Sequence, residues 1–216
     1  MKCNGTAAWS LGIAIILASL GIARAETLAV GNVNESQGEN QATLAGQTRA
    51  LGSGNAVFFG DRIRTGADAR LNAVLTDGSK LTLGEKGSLV IDQFVYNPGA
   101  QGGKLAVRVP KGAFLFVGGK IEGPTGGNVS IQTPVGTLGV RGTTVWGGPI
   151  DKGFGVLVLS GEVTVKTRHG TVTLREGQGT MVFGLKPGKP APWPADRVKR
   201  AVASISFGNV KTANTR

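Results

Sequence analysis

The side chains able to do chemistry are few in this sequence, and their surroundings suit turns better than catalysis. His169, in Thr167-Arg168-His169-Gly170, is the one histidine. A nucleophilic triad needs an imidazole held by a buried acid and within reach of a hydroxyl. His169 stands beside Gly170 where a hairpin turn is expected, and reads as a solvated turn residue. The one cysteine, Cys3, falls in a segment expected to be removed, which excludes disulfides, thiolate nucleophiles and thiolate metal sites from the mature chain. Asp61, Asp68 and Asp77 adjoin glycine or alanine in turn-like settings, where a carboxylate bonds its local backbone. Asp92, Glu122, Asp151, Glu162 and Glu176 are isolated among polar or turn residues. Neither the facing carboxylates of a glycosidase nor the alternating acids of a calcium loop stand out. The expectation is a non-enzyme with no cofactor and no metal.

One stretch could still cradle a phosphate: TPVGTLGVRGTTVWGG, Thr133 to Gly148. The string G-x-x-x-x-G-K-[ST] of a phosphate-binding loop is absent from the chain. Gly136, Gly139 and Gly142 recur every three residues, unlike a dinucleotide fingerprint, and Thr143-Thr144-Val145-Trp146 continues as strand rather than opening a helix whose N-terminus could take an anion. The glycines are expected to supply tight turns and close backbone approach between two strands. Arg141 and Trp146 remain as candidate contacts of this stretch; the competing readings are turn bonding for Arg141 and packing for Trp146.

The elements around these residues are short and alternate with period two. Leu71, Ala73 and Leu75 lead to Asp77-Gly78; Leu81 and Leu83 follow, then Leu89 and Ile91, then Leu105, Val107 and Val109. Phe114 with Phe116, Val129 with Ile131, Leu138 with Val140, Val163 with Val165, Val172 with Leu174 and Met181 with Phe183 continue the series. Alternation broken by a turn every 8 to 12 residues reads as an all-β protein. Glycine makes up 36 of 216 residues, against a usual ~7%, without a three-residue period. Two architectures fit: a β-solenoid with glycine corners at Gly118-Gly119, Gly126-Gly127 and Gly147-Gly148, and an irregular β-sandwich or barrel. The glycine groups tilt the expectation to the solenoid-like form.

The two ends differ from this body. Lys2, an apolar run over Ala7–Ile22 and Ala23-Arg24-Ala25 read as a cleavable export signal over residues 1–25, so a periplasmic or secreted location is expected, with an uncleaved anchor as the other reading. Residues 26–185 form the β domain. Residues 186–216 begin with the stiff, proline-rich KPGKPAPWP. A short helix capped by Asp196 is expected next, with Val198, Val202 and Ile205 on one face, covering an open sheet edge or touching a membrane surface, or else a disordered tail. The charge is +11, from 24 Lys and Arg against 13 Asp and Glu; loss of Lys2 and Arg24 leaves about +9. Such a surface favours anionic partners. Nucleic acid is not expected, because the cations are scattered and not interleaved with aromatics.

GDRIRTGADARLNAVLTDGSKLTL, Gly60 to Leu83, resembles the start of the FecR domain, with its G-D-x-[IL]-x-T-G pattern and later D-G-S. IQTPVGTLGVRGT, Ile131 to Thr143, is similar to that domain's T-P…G-V-R-G-T. VLVLSGEVTV and LREGQ match the strand pair and closing turn after it. The resemblance spans roughly Leu28 to Phe183. It makes Gly60, Asp61, Thr65, Gly66, Asp77, Gly78, Thr133, Pro134, Gly139, Arg141, Gly142 and Thr143 the family signature, expected to be structural. It implies a non-catalytic, strand-rich periplasmic module. Family transducers pass a signal from an outer-membrane transporter to a sigma factor through a membrane helix. Met1 to Thr6 leaves no cytoplasmic segment ahead of the apolar run, so that route is not expected here. The expected function is a protein-interaction, sensory or structural module of the cell envelope, its partner another envelope protein or a second copy. The alternative is a basic module that binds anionic envelope polymer or glycan.

Overall fold

The computed structural model describes residues 27–99, 102–122 and 128–208. The segment expected to be an export signal, Gly126-Gly127 and the last eight residues lie outside them. Alternating runs become strands because one set of side chains can be buried while the other stays wet. The strands are β1 (Ala29–Gln37), β2 (Asn40–Leu44), β3 (Gln47–Ala50), β4 (Ala56–Phe58), β5 (Arg62–Thr65), β6 (Arg70–Leu75), β7 (Lys80–Leu83), β8 (Ser88–Val95) and β9 (Lys104–Lys111). After them come β10 (Phe114–Val117), β11 (Asn128–Thr133), β12 (Gly136–Ile150), β13 (Gly153–Thr167), β14 (Gly170–Arg175), β15 (Gln178–Phe183), β16 (Lys186–Pro187) and β17 (Ala191–Pro192). One helix, α1 (Ala195–Ala203), closes the described chain. It is too short to cross a membrane.

All seventeen strands belong to one sheet, which curls into an open half-barrel. The long hairpin β12–β13 is its spine. The N-terminal part of β12 pairs with β11, and the C-terminal part of β13 with β14. Beyond a bend, the rest of β12 pairs with β10, and the rest of β13 with β15. The first half of the sheet therefore runs β3-β2-β5-β8-β9-β11 into the hairpin. The second runs β4-β1-β6-β7-β10 into it. Inward residues from both halves, Ile63, Ile91, Val107, Ile131 and Leu138 from one and Leu71, Leu83, Phe114, Phe116 and Val158 from the other, meet in one core. Each such side chain contributes roughly 1.5–3 kcal/mol by leaving water.

The all-β expectation and the short C-terminal helix hold. The ladders decide between the two architectures: a solenoid stacks its rungs in parallel, whereas here β9–β11 is parallel and the other pairings are antiparallel. Gly147-Gly148 is not a corner. Both glycines lie inside β12, and a Cβ on Gly147 would stand 2.6 Å from the Phe114 ring. The stretch expected as two strands around glycine turns is a Thr133–Gly136 turn followed by one long, bent strand.

The C-terminal segment also differs from expectation. The proline-rich residues do the edge covering: β16 and β17 pair with β15. The helix instead lies on the outer face of the second half. Its N-cap is Pro194, without a side-chain cap, and Asp196 sits in the first turn. Val198, Ala201 and Ile205 face the sheet, while Val202 is exposed.

Candidate functional site

The signature residues hold the sheet's turns and bends. Asp61 is fully buried at the entry to β5. Its Oδ1 accepts Arg49 Nη1 at 2.8 Å, and its Oδ2 accepts Arg49 Nη2 and the Phe58 N–H. Gly60 turns the chain into it with φ of 80°. At the other end of β5, Thr65 Oγ1 donates to the Gly84 carbonyl and accepts the Gly87 N–H at 2.8 Å. The Gly66 N–H reaches the Glu39 carbonyl at 2.8 Å. Asp77 is buried too, taking Ser79 N–H and Oγ–H while Gly78 turns with φ of 86°. Thr133 Oγ1 donates to the Gly136 carbonyl across the turn at Pro134.

Gly139 to Thr143 form the bend of the spine. Register between β12 and β13 slips around Thr144, the mark of a β-bulge. Gly142 has φ of 60°, and a Cβ on Gly161 opposite would lie 2.3 Å from the Gly142 carbonyl oxygen. Thr143 Oγ1 donates to the Arg141 carbonyl at 2.7 Å and accepts the Arg141 N–H. Its own N–H is taken by Glu122 Oε2 at 3.1 Å. Glu122 is 5% exposed, and its Oε1 has no partner among the described residues. Burial is the main cause that lifts the Glu122 carboxyl above the usual carboxylate range. The Thr143 and Gly142 N–H groups oppose that rise, and the charge of Asp77 adds to it.

The two candidate contact residues part company. Arg141 is exposed on the outer face of the first half, opposite Glu162, with no ion pair for its guanidinium among the described residues. Glu162 turns instead to Arg175. Trp146 is 1% exposed and cannot serve as a surface contact while α1 covers it. Its Nε1–H donates to Ser204 Oγ at 3.1 Å, and its ring meets Trp193 edge-on at 6.0 Å. Gly155 and Gly179 make room for Trp193, since a Cβ on either would lie 2.6 or 2.5 Å from its ring. Asp151, at the hairpin tip, accepts Arg197 Nε at 2.8 Å and pairs with Arg200. The Arg200 contact is the main cause that draws the Asp151 carboxyl below its usual value.

His169 is an exposed turn residue whose N–H meets Thr167 Oγ1. Among the described residues no three His, Cys, Asp or Glu side chains cluster as a metal site would require. What sequence reading missed is the outer face of β5. Arg62 and Arg64, the two unspecified positions of the G-D-x-[IL]-x-T-G pattern, both point outward between the buried Asp61, Ile63 and Thr65. The signal was the alternation of R-I-R itself.

Residues 61–164 match the family model for FecR protein. Two crystal structures of a putative anti-sigma factor from Parabacteroides distasonis are similar in fold, each with a TM-score of 0.51 and 15% identity. The aligned region covers 64% of this chain and 62% of that protein. No curated protein matches the chain. The matched span runs from the buried Asp61 through the bend at Thr143 to Thr164 in β13, so residues 61–164 of the chain are a FecR domain.

Proposed function

We propose that this chain is an exported, non-catalytic module of the cell envelope, regulatory or sensory in kind, that acts by holding another envelope protein or a second copy of itself. The observation that carries the reading is the division of labour within the signature. Asp61, Thr65, Asp77, Thr133 and Thr143 spend their polar atoms on the protein's own backbone and side chains, while Arg141 presents its guanidinium outward from the bend. An arginine held on a rigid strand can grip a carboxylate with two parallel hydrogen bonds. The similarity to a putative anti-sigma factor fits a role exercised by contact rather than by turnover.

Arg141→Ala is the test. The exported variant is expected to keep its unfolding midpoint and lose crosslinking to its partner, or its dimer in light scattering. An unchanged crosslinking pattern or dimer would overturn the role of Arg141. N-terminal sequencing of the exported protein is expected to begin at Glu26; an N-terminus at Met1 would overturn cleavage.

A further inference from the structure

The outer face of the first half carries a second feature, at the end away from Arg141. β2, β5, β8 and β9 lie side by side there, with Arg64 opposite Ser88 and Arg62 opposite Val90 across the ladder. Two shallow openings lie on this face, of about 650 and 440 Å³, and a third, of about 290 Å³, continues off its end against Ala113, Pro149 and Ser204 of the second half. The largest shares Arg62 with the second, and Lys86 and Lys111 with the third, so they join into one furrow. Arg70, Lys86, Lys111, Arg64, Arg62 and Arg108 mark its length.

The acids on the furrow are Glu39, Glu85 and Asp92. Asp92 is spent on Arg108, whose Nη2 lies 2.6 Å from its Oδ1, and Glu85 accepts the Asp68 N–H. Arg62, Arg64, Lys86 and Lys111 make no ion pair among the described residues. Arg62 and Arg64 stand about 7 Å apart on one face of β5. Their backbone is pinned on both sides, by Asp61 to Arg49 and by Thr65 to Gly84 and Gly87. Asp61 and Thr65 thus present Arg62 and Arg64 as a fixed pair.

We infer that this furrow binds a linear acidic polysaccharide, lying along the strand face with its carboxylates on Arg62, Arg64, Lys86 and Lys111. Hydroxyl and amide groups between the cations, from Gln41, Thr43 and Ser88, suit a polyhydroxylated chain. Phe59, 43% exposed, stands at one end. A single ring does not supply the stacking platform that successive nucleic-acid bases need. A concave furrow also fits a chain better than the flat surface of a bilayer. This surface stands apart from the contact at Arg141, so either can fail alone.

The test uses the full mature chain and a polyuronate, alginate, as probe. Binding is expected at about 50 mM salt and to weaken steeply as screening increases. Arg62→Ala with Arg64→Ala is expected to weaken it about tenfold with the unfolding midpoint unchanged. Arg141→Ala is expected to leave it intact, and dextran, a neutral glucan, should not bind. Alginate binding by the double variant within twofold of the parent would overturn the site. Tighter binding of polyglutamate, of an oligodeoxynucleotide or of phosphatidylglycerol vesicles than of alginate would overturn the class of ligand.

Discussion

On the outer face of the sheet's second half, Ala113, Trp146 and Leu157 lie under Trp193, Val198 and Ile205 of the C-terminal segment. On the outer face of the first half, Arg62, Arg64, Arg108, Arg141 and Lys166 are exposed at matching positions of the same curled sheet. Both faces arise from period-two alternation, and in both the inward residues feed one core. The difference lies in the outward set. An apolar outward set needs cover, because exposed patches of that kind invite association. A charged outward set stays in water and is free to meet a partner. The glycines follow the same division. Gly155 and Gly179 are hollows for Trp193 on the sealed face, while a Cβ on Gly139 of the open face would come no nearer than 4.0 Å to Thr164.

The largest expected effect lies on the sealed face. Trp146→Ala removes the anchor of α1 and should cost about 3–5 kcal/mol in denaturant unfolding, the usual range for a buried aromatic. A loss under about 1 kcal/mol would mean that the helix contributes little to the fold. Gly179→Ala should cost about 1–3 kcal/mol by overpacking against Trp193, with a red-shifted tryptophan emission as the ring leaves its bed. Unchanged emission would contradict that placement.

The bend between the faces gives a pH-dependent prediction. The Glu122 carboxyl is raised in the folded protein by burial. Its cost to folding is therefore absent below the ordinary glutamate range, about pH 4, and grows as pH rises through the raised value. Glu122→Gln should lift the unfolding midpoint near neutral pH and gain little near pH 4. A gain of equal size at both would assign the effect to packing instead of charge. The smallest effect belongs to the open face: Arg62→Ala with Arg64→Ala should change stability by no more than about 0.5 kcal/mol.

Much of the fold is legible in the sequence because burial on one side of a sheet imposes a two-residue period. Leu71, Ala73 and Leu75 all reach the core, as do Leu105, Val107 and Val109. The architecture was less legible because it depends on which strands meet. Val129 and Ile131 look alike beside a parallel or an antiparallel neighbour, and they have one of each. Trp146 shows a further limit. Alternation places it outward from the core, and only the segment from Trp193 to Ile205, far along the chain, buries it. The helix was foreseen but not its seat, since Ala201 carries little apolar signal and Val202, apolar by type, faces solvent. At the candidate sites, the signature residues were expected to be structural; among them Asp61, Thr65, Asp77, Thr133 and Thr143 make hydrogen bonds that tie turns and the bend. The R-I-R alternation marks Arg62 and Arg64 only as outward; that Lys86 and Lys111 arrive beside them from another segment and another strand is visible in the structure alone.

The most direct measurement of the division between a holding frame and a working face follows one variant of the chain, Arg62→Ala with Arg64→Ala and Arg141→Ala, through two readouts. These are its thermal unfolding midpoint and its retention with the envelope fraction as salt is raised. If the open face does the work, the midpoint stays that of the parent while retention at low salt is lost. Parental retention with a parental midpoint would contradict that division.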